Sequence, residues 1–284
     1  MIPAKFDYVA PESVADALAA LGSDSDEIKV LAGGQSLMPV LRLRLAAPTL
    51  IVDLNRIDEL RGISDDGDAI VIGAMTTHAE VASDSLVAEH ASVLAKTAKT
   101  VADPQVRHRG TLGGALVHAD PAGDLPAPIL ALDAELVVVG LRGERTVAAA
   151  DFFQDLFTTA VGEDEILTKI RIPKHTGWGS HYEKFNRVAQ AWSIVAVAAL
   201  VRREEGRIAE ARVGLTNMGP TPLRARGVEA ALVDVDATRE AVAAAAEHAA
   251  EGTSPSSDLN GQADYREHLA RVLTRRAVTV AAGL

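Results

Sequence analysis

Two pairs of adjacent glycines constrain the fold of this chain more than any other feature of its sequence. Gly33-Gly34 ends a short apolar run, and Gly113-Gly114 follows some eighty residues later. Glycine lets a backbone turn sharply or approach a ligand closely, because it has no Cβ to clash. Successive amides in such a turn form a nest for an anion. Either pair alone is explained by a tight turn, but two such turns would hold one long anionic ligand from two sides.

The composition excludes several classes of protein. A net charge of -11 argues against a nucleic-acid partner, because phosphate contacts need a basic face. Without cysteine the chain carries no disulfide, thiolate zinc site, iron–sulfur cluster or cysteine nucleophile. No run approaches the ~18 apolar residues of a membrane span, and the N-terminus lacks a signal-peptide core. We therefore expect a cytoplasmic protein without a membrane span, either free or at the inner face of the membrane.

The first sixty of the 284 residues are predicted to form a small β–turn–α–β unit. Residues 11–22 have the apolar spacing of a helix, with Pro11 in its first turn. Residues 28–32 read as a strand that feeds the first glycine pair. A helix over residues 37–45 and a strand over 49–54 complete the unit.

The next part of the chain is predicted to mix hairpins and helices around one unusual connection. Residues 101–128 are so dense in glycine, proline and potential ligands that we interpret them as part of a site rather than as an idle loop. Alternation over residues 166–172 predicts a half-exposed strand. The other elements are predicted as a hairpin at 63–72, helices at 78–82 and 92–100, a helix that ends within 129–133, and strands at 135–139 and 146–149.

The character of the sequence changes after Pro173. Residues 174–179 read as a linker, and three strand candidates follow at 181–187, 192–202 and 207–217. We prefer a strand to a helix for residues 192–202 because several of them are β-branched. Alanine-rich helices are predicted at 227–232, 237–251 and 265–282.

Several familiar catalytic motifs are absent. The sequence has no G-x-x-x-x-G-K-[ST], no G-x-G-x-x-G and no H-E-x-x-H motif. Residues 34–38 do not form a nucleophile elbow, because Met38 stands where the second glycine belongs. The eight histidines are scattered without metal-ligand spacing. This pattern suits a protein whose bound cofactor performs the chemistry, with no catalytic side chain and no metal site of its own.

The segments Ala32-Gly-Gly-Gln-Ser-Leu37 and Thr111-Leu-Gly-Gly114, with Asp124, resemble the flavoprotein (medium) subunit of the molybdenum hydroxylases. This is the family of aerobic carbon monoxide dehydrogenase and xanthine dehydrogenase. Thr221-Pro-Leu-Arg-Ala225 resembles the C-terminal domain of that subunit, so the resemblance covers essentially the whole chain.

The resemblance implies an α+β fold of two domains. Residues 1–174 would form an FAD-binding domain of the vanillyl-alcohol-oxidase and para-cresol-methylhydroxylase type, with subdomains at about 1–57 and 58–174. Residues 175–284 would form a smaller domain with a three-stranded antiparallel sheet and helices.

The resemblance also implies which residues bind FAD. Amides of both glycine turns would wrap the pyrophosphate, and the Ser36 and Thr111 hydroxyls would add donors. Asp124 would accept a hydrogen bond from ribose or adenine. The full set is Ala32, Gly33, Gly34, Gln35, Ser36, Leu37, Val101, Thr111, Gly113, Gly114, Asp124, Leu167, Lys184 and Trp192.

Four of these residues have individual expectations. Leu167 would pack beside the adenine, and Val101 would lie near the cofactor. Lys184 would stabilise negative charge on the reduced flavin ring. Trp192 stands where relatives place a tyrosine or phenylalanine that stacks near the isoalloxazine, and it lacks the phenol that a tyrosine would offer there.

Structural alternatives exist for three of these positions, and two arginines have a separate interpretation. Asp124 would otherwise be the N-cap of the helix after Leu125, Lys184 a solvated strand lysine, and Trp192 a core residue. Arg107 and Arg109 would either offset the charge of the pyrophosphate or, in the interpretation we prefer, be surface residues that face a partner subunit.

The implied function is that of an electron-transfer oxidoreductase subunit. A large subunit would hold the molybdenum cofactor, and a small subunit would hold two [2Fe-2S] clusters, which suits a chain without cysteine. FAD on this chain would pass electrons to an external acceptor, in a dimer of heterotrimers. The alternatives are a self-sufficient FAD-dependent oxidase or reductase with its own substrate pocket, and a scaffold subunit whose glycine turns are only turns.

Overall fold

The protein contains three main β-sheets and a two-stranded ribbon, seen in a computed structural model that describes residues 2–23, 25 and 27–284. The three sheets follow one another along the chain, and no strand pairing joins one sheet to another among the described residues. None of the described helices is both long and apolar enough to cross a membrane.

The first sheet is the predicted β–turn–α–β unit with one further strand. Three parallel strands are arranged in the order Asp7–Val9, Leu50–Asp53, Ile28–Leu31. All four residues of the central strand are buried. The helices of this unit are Val14–Leu21 and Leu37–Arg42, followed by the 3-10 turns Leu54–Arg56 and Asp58–Leu60.

Two helix boundaries in this unit differ from the sequence prediction. Ser13 caps the first helix by accepting a hydrogen bond from the Asp16 amide, so Pro11 lies outside the helix rather than in its first turn. The second helix ends at Arg42, three residues earlier than predicted, because the backbone of Arg44 turns left-handed, with φ 58°.

The second sheet has five antiparallel strands. Their order is Ile63–Asp66, Ala69–Gly73, Glu165–Pro173, Glu135–Gly140 and Gly143–Ala148. The predicted hairpin at 63–72 is confirmed, and the strands predicted at 135–139 and 146–149 pair as a second hairpin. The strand predicted at 166–172 is confirmed, but its predicted half-exposure is wrong, because Glu165–Pro173 is the central strand and most of its side chains are buried.

Helices pack against this sheet and include several that the sequence analysis missed. Residues 101–128 contain two short helices and the start of a third rather than a plain connection, and the helix predicted to end within 129–133 does so, at Ala131. The helices are His78–Ser83, Ser85–His90, Ser92–Thr100, Pro104–Arg107, Leu112–His118, Pro126–Ala131 and Ala149–Phe152, and the ribbon strands are Phe153–Asp155 and Thr158–Thr159.

The third sheet confirms the three long antiparallel strands of the C-terminal part and adds two short ones. The long strands are Gly179–Phe185, Val195–Glu204 and Arg207–Thr216, and the short ones are Leu223–Arg224 and Val235–Asp236. The second long strand begins three residues later than predicted, so Trp192 precedes it. The helices are Arg226–Leu232, Arg239–Ala246 with the 3-10 turn Glu247–Ala250, and Ala263–Ala281.

The strand Val195–Glu204 is shared between two hydrophobic cores. Ala196, Ala198 and Leu200 pack into the core of the second sheet and its helices. Alternate residues, including Val195 and Val197, pack into the core that the C-terminal helices cover. Because both faces of residues 195–201 are buried, this part of the strand is continuously apolar, unlike a strand with one solvated face.

Candidate functional site

The first glycine turn joins the strand Ile28–Leu31 to the helix Leu37–Arg42. Gly34 has φ +75°, a left-handed conformation that favours glycine. The backbone N–H groups of residues 33–36 donate to no acceptor in the described part of the protein. The Ser36 hydroxyl makes no capping bond to the helix that follows it. The turn therefore presents several free donors of the kind that bind an anion.

Asn55 fixes this turn from the neighbouring strand, and the sequence analysis missed it. Its Nδ2 donates to the carbonyl oxygen of Ala32 at 2.9 Å and to Asp53 Oδ1 at 2.6 Å. Asp53 Oδ2 in turn accepts a 2.6 Å hydrogen bond from the Tyr8 hydroxyl. Because the two parallel strands end at the same edge, the residues after Leu50–Asp53 lie beside the turn after Ile28–Leu31.

The second glycine turn packs directly on the first. A Cβ at position 33 would lie 2.6 Å from the Cα of Gly110, and a Cβ at position 114 would lie 3.1 Å from the Cβ of Ala32. Contacts below 3.0 Å are essentially never seen for a real Cβ. Glycine is therefore required at position 33 for the two turns to lie side by side, whereas a Cβ at position 114 would chiefly crowd Thr111 Oγ1, at 2.7 Å.

The amides of residues 112–114 in the second turn already donate to acceptors within the protein. Gly113 N–H donates to the Ala74 carbonyl at 2.8 Å, and Gly114 N–H donates to Thr111 Oγ1 at 3.2 Å. Thr111 thereby caps the helix Leu112–His118. The expectation that both turns donate their amides to a ligand is revised, because only the first turn has a run of free amides.

A buried histidine lies beneath the second turn. The His78 backbone N–H donates to the Gly110 carbonyl at 2.9 Å, and a Cβ at position 110 would lie 2.9 Å from His78 Nε2. Burial, with a smaller contribution from the Arg107 charge, lowers the pKa of His78 to about 4. The ring is therefore neutral at pH 7, and its buried Nδ1 has no partner among the described residues.

A buried polar cluster connects this part of the chain to the C-terminal sheet. Asp124, only 6% exposed, accepts hydrogen bonds at Oδ1 from the hydroxyls of Tyr182 and Ser193, both at 2.8 Å. Its Oδ2 accepts from Lys184 Nζ at 2.8 Å, and the same ammonium contacts the Thr100 carbonyl at 3.4 Å. All three donors to Asp124 come from residues beyond 178.

Burial and the neighbouring Asp124 carboxylate raise the pKa of Tyr182 well above its usual value. The Tyr182 phenol is therefore a neutral donor. The sequence analysis missed Tyr182 and Ser193. Tyr182 shares a face of its strand with Lys184, since residues two apart along a strand point the same way.

The three structural alternatives from the sequence are wrong. The helix that follows Asp124 begins at Pro126, and Leu125 is its N-cap, without a side-chain capping bond. The Lys184 side chain is only 7% exposed, so it is not a solvated strand lysine. Trp192 is 55% exposed and is not a core residue.

Val101 and Leu167, two further candidate residues, lie near the second glycine turn. Arg107 Nη1 donates to the Val101 carbonyl at 2.8 Å, which ties Val101 to the segment that leads into the second turn. Arg107 is thus engaged within the chain, whereas Arg109 is exposed. Leu167 is buried in the same core cluster as Leu112, behind the second turn.

Trp192 lies on the segment that links Lys184 to the strand Val195–Glu204. This segment is held at one side by Gln190, whose amide donates to Asp103, and at the other by Ser193. A cavity of about 290 Å³ lies between Trp192 and the helix Ala263–Ala281, and Arg266 and Asn217 contribute to its lining.

The fold and the two turns together define a two-domain protein that binds an extended anionic cofactor. Residues 4–175 match the family described as the FAD binding domain in molybdopterin dehydrogenase, and residues 180–281 match the CO dehydrogenase flavoprotein C-terminal domain. The described residues contain no group of three potential ligands that could hold a metal ion.

Known proteins match this chain over its whole length. The carbon monoxide dehydrogenase medium chain of Hydrogenophaga pseudoflava is 42% identical over 284 residues, covering 99% of this chain and 98% of that relative. The nicotine 6-hydroxylase medium subunit of Paenarthrobacter nicotinovorans is 36% identical over 275 residues, 96% of each chain. A solved carbon monoxide dehydrogenase from Hydrogenophaga pseudoflava, lacking the Mo-pyranopterin moiety of its cofactor, matches with a TM-score of 0.96 and 43% identity, covering 100% of this chain and 99% of that chain.

The chain therefore belongs to the family of FAD-binding medium subunits of the molybdenum hydroxylases. The family resemblance, the α+β fold class, the oxidoreductase assignment and FAD as the cofactor are confirmed. Its relatives are medium chains of multi-subunit complexes.

Proposed function

We propose that residues 33–36 hold the pyrophosphate of FAD through their backbone N–H groups. The main support for this proposal is the run of backbone N–H groups in this turn that have no acceptor among the described residues. The hydrogen bond from Asn55 to the Ala32 carbonyl holds the turn in place. A ligand with two adjacent phosphates satisfies several such donors at once. The Ser36 hydroxyl, free of capping bonds, adds a donor at the end of the turn.

The second glycine turn would contribute to the cofactor site mainly by its close packing on the rest of the protein, and less by its amides. Gly113 and Gly114 let the helix Leu112–His118 approach Ala74 and Ala32 closely. The Thr111 N–H and hydroxyl remain available to a phosphate, because the hydroxyl oxygen accepts from Gly114 and keeps its own proton. Leu167 and Val101 would form apolar walls of the same cleft, beside the adenine and nearer the flavin respectively.

Lys184 and Trp192 would face the flavin end of the cofactor. Lys184 keeps one N–H direction free after its bonds to Asp124 and Thr100. Trp192 is exposed and planar, which suits stacking on an aromatic ring. Asp124 would chiefly position Lys184, since three protein donors already occupy its carboxylate and about one lone-pair position remains for a ribose hydroxyl.

The redox chemistry would be supplied by FAD, which exchanges electrons between a one-electron and a two-electron partner. The chain's own residues would bind the cofactor, orient its ring and offset its charge. Electrons would arrive from [2Fe-2S] clusters of a small partner subunit, after a large subunit has oxidised the substrate at its molybdenum cofactor. An external acceptor would receive them.

Several finer points belong to the same proposal. Membership of this family supports a dimer of heterotrimers in the cytoplasm, either free or at the inner face of the membrane. A division into residues 1–174, with subdomains at about 1–57 and 58–174, and 175–284 is supported by the strand pairings, which stay within 7–53, 63–173 and 179–236.

The released flavin tests this proposal. The complex is purified through a tag on this chain, the protein is unfolded, and the flavin is identified by chromatography. We expect FAD, at about one per chain. FMN, or no flavin in an active complex, would overturn the proposal. Substrate-dependent reduction by this chain alone would favour the self-sufficient oxidase instead.

A further inference from the structure

Hydrogen bonds hold three successive carbonyl groups of the first glycine turn. The Ala32 carbonyl accepts from Asn55 Nδ2 at 2.9 Å, and the Gly33 carbonyl accepts from Gln35 Nε2 at 3.1 Å. The Gly34 carbonyl accepts from an N–H group of the helix that follows, also at 3.1 Å. Three peptide units in a row are therefore fixed at their oxygen atoms, two of them by side chains.

Fixing a carbonyl also fixes the N–H group that shares its peptide unit. The peptide bonds of this turn are trans, and in a planar trans unit the carbonyl and the N–H point in opposite directions. The bonds to the carbonyls of residues 32, 33 and 34 therefore orient the N–H groups of residues 33, 34 and 35. These are three of the four N–H groups that donate to no acceptor in the described part of the protein.

The side-chain amide of Asn55 has only one orientation that suits its neighbours. On one side lies the Arg61 guanidinium, which can only donate, 3.2 Å from the Asn55 carbonyl oxygen and 3.5 Å from Oδ1. On the other side Nδ2 faces two acceptors, the Ala32 carbonyl and Asp53 Oδ1. A reversed amide would set Oδ1 against both acceptors and Nδ2 against a donor. The surroundings thus direct the donor of Asn55 at the turn.

The first sheet supports Asn55 through Asp53. Asp53 is buried, and its Oδ2 accepts a 2.6 Å hydrogen bond from the Tyr8 hydroxyl. Its Oδ1 accepts from the Asn55 backbone N–H at 2.9 Å as well as from Nδ2. Tyr8 and Asp53 lie on neighbouring parallel strands. The sheet therefore sets the position of Asn55 and, through it, the direction of the Ala32 carbonyl.

Orientation of the N–H groups matters here because the turn has no cationic side chain of its own. Residues 32–37 include neither lysine nor arginine, so within the turn only N–H dipoles and the Ser36 hydroxyl can offset the charge of a pyrophosphate. Two adjacent glycines would otherwise give the free turn many conformations. Groups that are already oriented bind a ligand more tightly, because binding does not have to order them.

We propose that Asn55 and Gln35 are positioning residues for the pyrophosphate of FAD. Tyr8 and Asp53 hold Asn55 in place. The proposal rests on the proposed function, because it requires that the free N–H groups of the turn receive the pyrophosphate. It gives Gln35 a role through the Gly33 carbonyl instead of a contact with the cofactor.

The FAD affinity of two variants tests the proposal. The flavin-free complex is titrated with FAD, and flavin fluorescence gives the dissociation constants. Asn55→Leu and Gln35→Met keep the approximate size of the side chain but remove its donor, and each should weaken FAD binding about tenfold or more. Because Gln35 is exposed, Gln35→Met should keep the melting temperature of wild type. Wild-type affinity in either variant overturns the proposal for that residue.

Two control variants separate positioning from general effects. Gln154→Met makes the same change at another exposed glutamine. Asp84→Ala removes the cap of the helix Ser85–His90 and lowers stability outside the two turns. Both should bind FAD as wild type does. If Asp84→Ala loses as much FAD affinity as Asn55→Leu at an equal loss of melting temperature, Asn55 acts through stability alone, which overturns its positioning role.

Tyr8→Phe tests the support behind Asn55. It removes only the hydroxyl, and Asp53 keeps both of its bonds from Asn55, so FAD binding should weaken by only about two- to threefold. An unchanged affinity would remove Tyr8 from the proposal. A loss as large as that of Asn55→Leu would contradict the order of support from Tyr8 through Asp53 to Asn55.

The reduction potential of the bound flavin separates an effect at the pyrophosphate from one at the flavin ring. A weaker hold on the pyrophosphate lowers the affinities for oxidised and reduced FAD equally, so Gln35→Met should keep the wild-type potential. A shift of more than about 30 mV corresponds to a tenfold difference between the two affinities. Such a shift would place the effect at the ring and overturn the proposal.

The flavin content of the wild-type complex keeps the two proposals distinct. If wild type contains FAD and both Asn55→Leu and Gln35→Met bind it fully, the positioning role is overturned and the proposed function stands. FMN, or no flavin in an active wild-type complex, overturns both.

Discussion

Lys184 Nζ lies 2.8 Å from Asp124 Oδ2, and both side chains are more than nine-tenths buried. The carboxylate belongs to the N-terminal part of the chain and the ammonium to the C-terminal sheet. The pair therefore joins the two parts at the place where the flavin end of the cofactor is proposed to lie. Because Asp124 offsets much of its charge, Lys184 would act on a flavin placed there as half of a dipole rather than as a free cation.

Breaking this pair from one side should destabilise the protein strongly. Lys184→Met leaves the Asp124 carboxylate buried without its cation, and the loss of one partner of a buried pair costs about 3–5 kcal/mol. Asp124→Leu with Lys184→Met should cost less than Lys184→Met alone, because no buried charge remains. Urea unfolding of the three proteins measures the difference.

The control for this prediction is a pair on the surface of the second sheet. Lys174 Nζ lies 2.7 Å from Asp65 Oδ2, which is about half exposed. Lys174→Met should cost no more than about 1 kcal/mol. Equal losses for Lys174→Met and Lys184→Met would show that the Asp124–Lys184 pair is no stronger than a surface contact. If Lys184→Met still folds, it should retain FAD and shift its reduction potential.

Gly33→Ala should yield protein that folds but holds less FAD. The added Cβ would overlap with the backbone of Arg109 and Gly110, and the two turns must separate to accommodate it. Gly179→Ala is the control, because its Cβ would meet the Ala281 backbone at least as closely, outside the two turns. Both should lose about 1–3 kcal/mol of stability. Only Gly33→Ala should lower the FAD content of the purified complex, and a full FAD complement in it would contradict the amide cradle.

Trp192→Ala should weaken FAD binding at least fivefold, whereas Trp192→Phe should stay within about twofold of wild type. Aromatic stacking contributes about 0.5–1.5 kcal/mol beyond area burial, and phenylalanine retains most of it. Titration of the flavin-free complex with FAD, followed by flavin fluorescence, gives the affinities. Tyr265→Ala, at another exposed aromatic residue of the same domain, should bind as wild type does. Equal affinity of Trp192→Ala and wild type would place Trp192 outside the cofactor site.

Acidification should destabilise the protein through His78. Its folded-state pKa of about 4 lies below the usual 6.5, so the unfolded chain binds more protons between these values and stability falls as the pH drops. The loss attributable to His78 between pH 7 and pH 5 is about 2 kcal/mol.

His78→Gln isolates this contribution, because His118 and His175 also have lowered pKa values and remain in the variant. The difference in unfolding free energy between pH 7 and pH 5 should be smaller in His78→Gln than in wild type. Identical pH dependence in both proteins would show that His78 is not the group that titrates.

The sequence predicted the parts of the fold that depend on local patterns. Alternation, turn residues and helix spacing sufficed for both hairpins, for the helix Ser92–Thr100 and for the long strands of the C-terminal sheet. The contact of Asn55 with the glycine turn could also have been predicted, because Asn55 closely follows a strand whose parallel neighbour ends in that turn.

What the sequence could not supply depends on distant contacts. Asp124 and Lys184 are 60 residues apart in the sequence, and no local pattern predicts that they form an ion pair. The helix Leu112–His118 was missed because its two glycines disfavour helix, while the Thr111 cap and the tight packing on Ala74 stabilise it. The burial of the strand Glu165–Pro173 follows from its central place in the sheet, which alternation along the strand does not reveal.

The strand Val195–Glu204 belongs to the C-terminal sheet, yet one of its faces packs into the N-terminal core. The two domains therefore differ in strand pairing but are not mechanically independent. Proteolysis in the segment between Pro173 and Gly179 would sever the chain, yet the N-terminal core would still depend on Ala196, Ala198 and Leu200 from the other fragment. A hinge motion at that segment would carry the strand away with the C-terminal helices and expose the core that Ala196, Ala198 and Leu200 complete. Opening the cofactor site by a movement of whole domains would therefore cost the burial of that apolar surface, whereas a movement of loops would not.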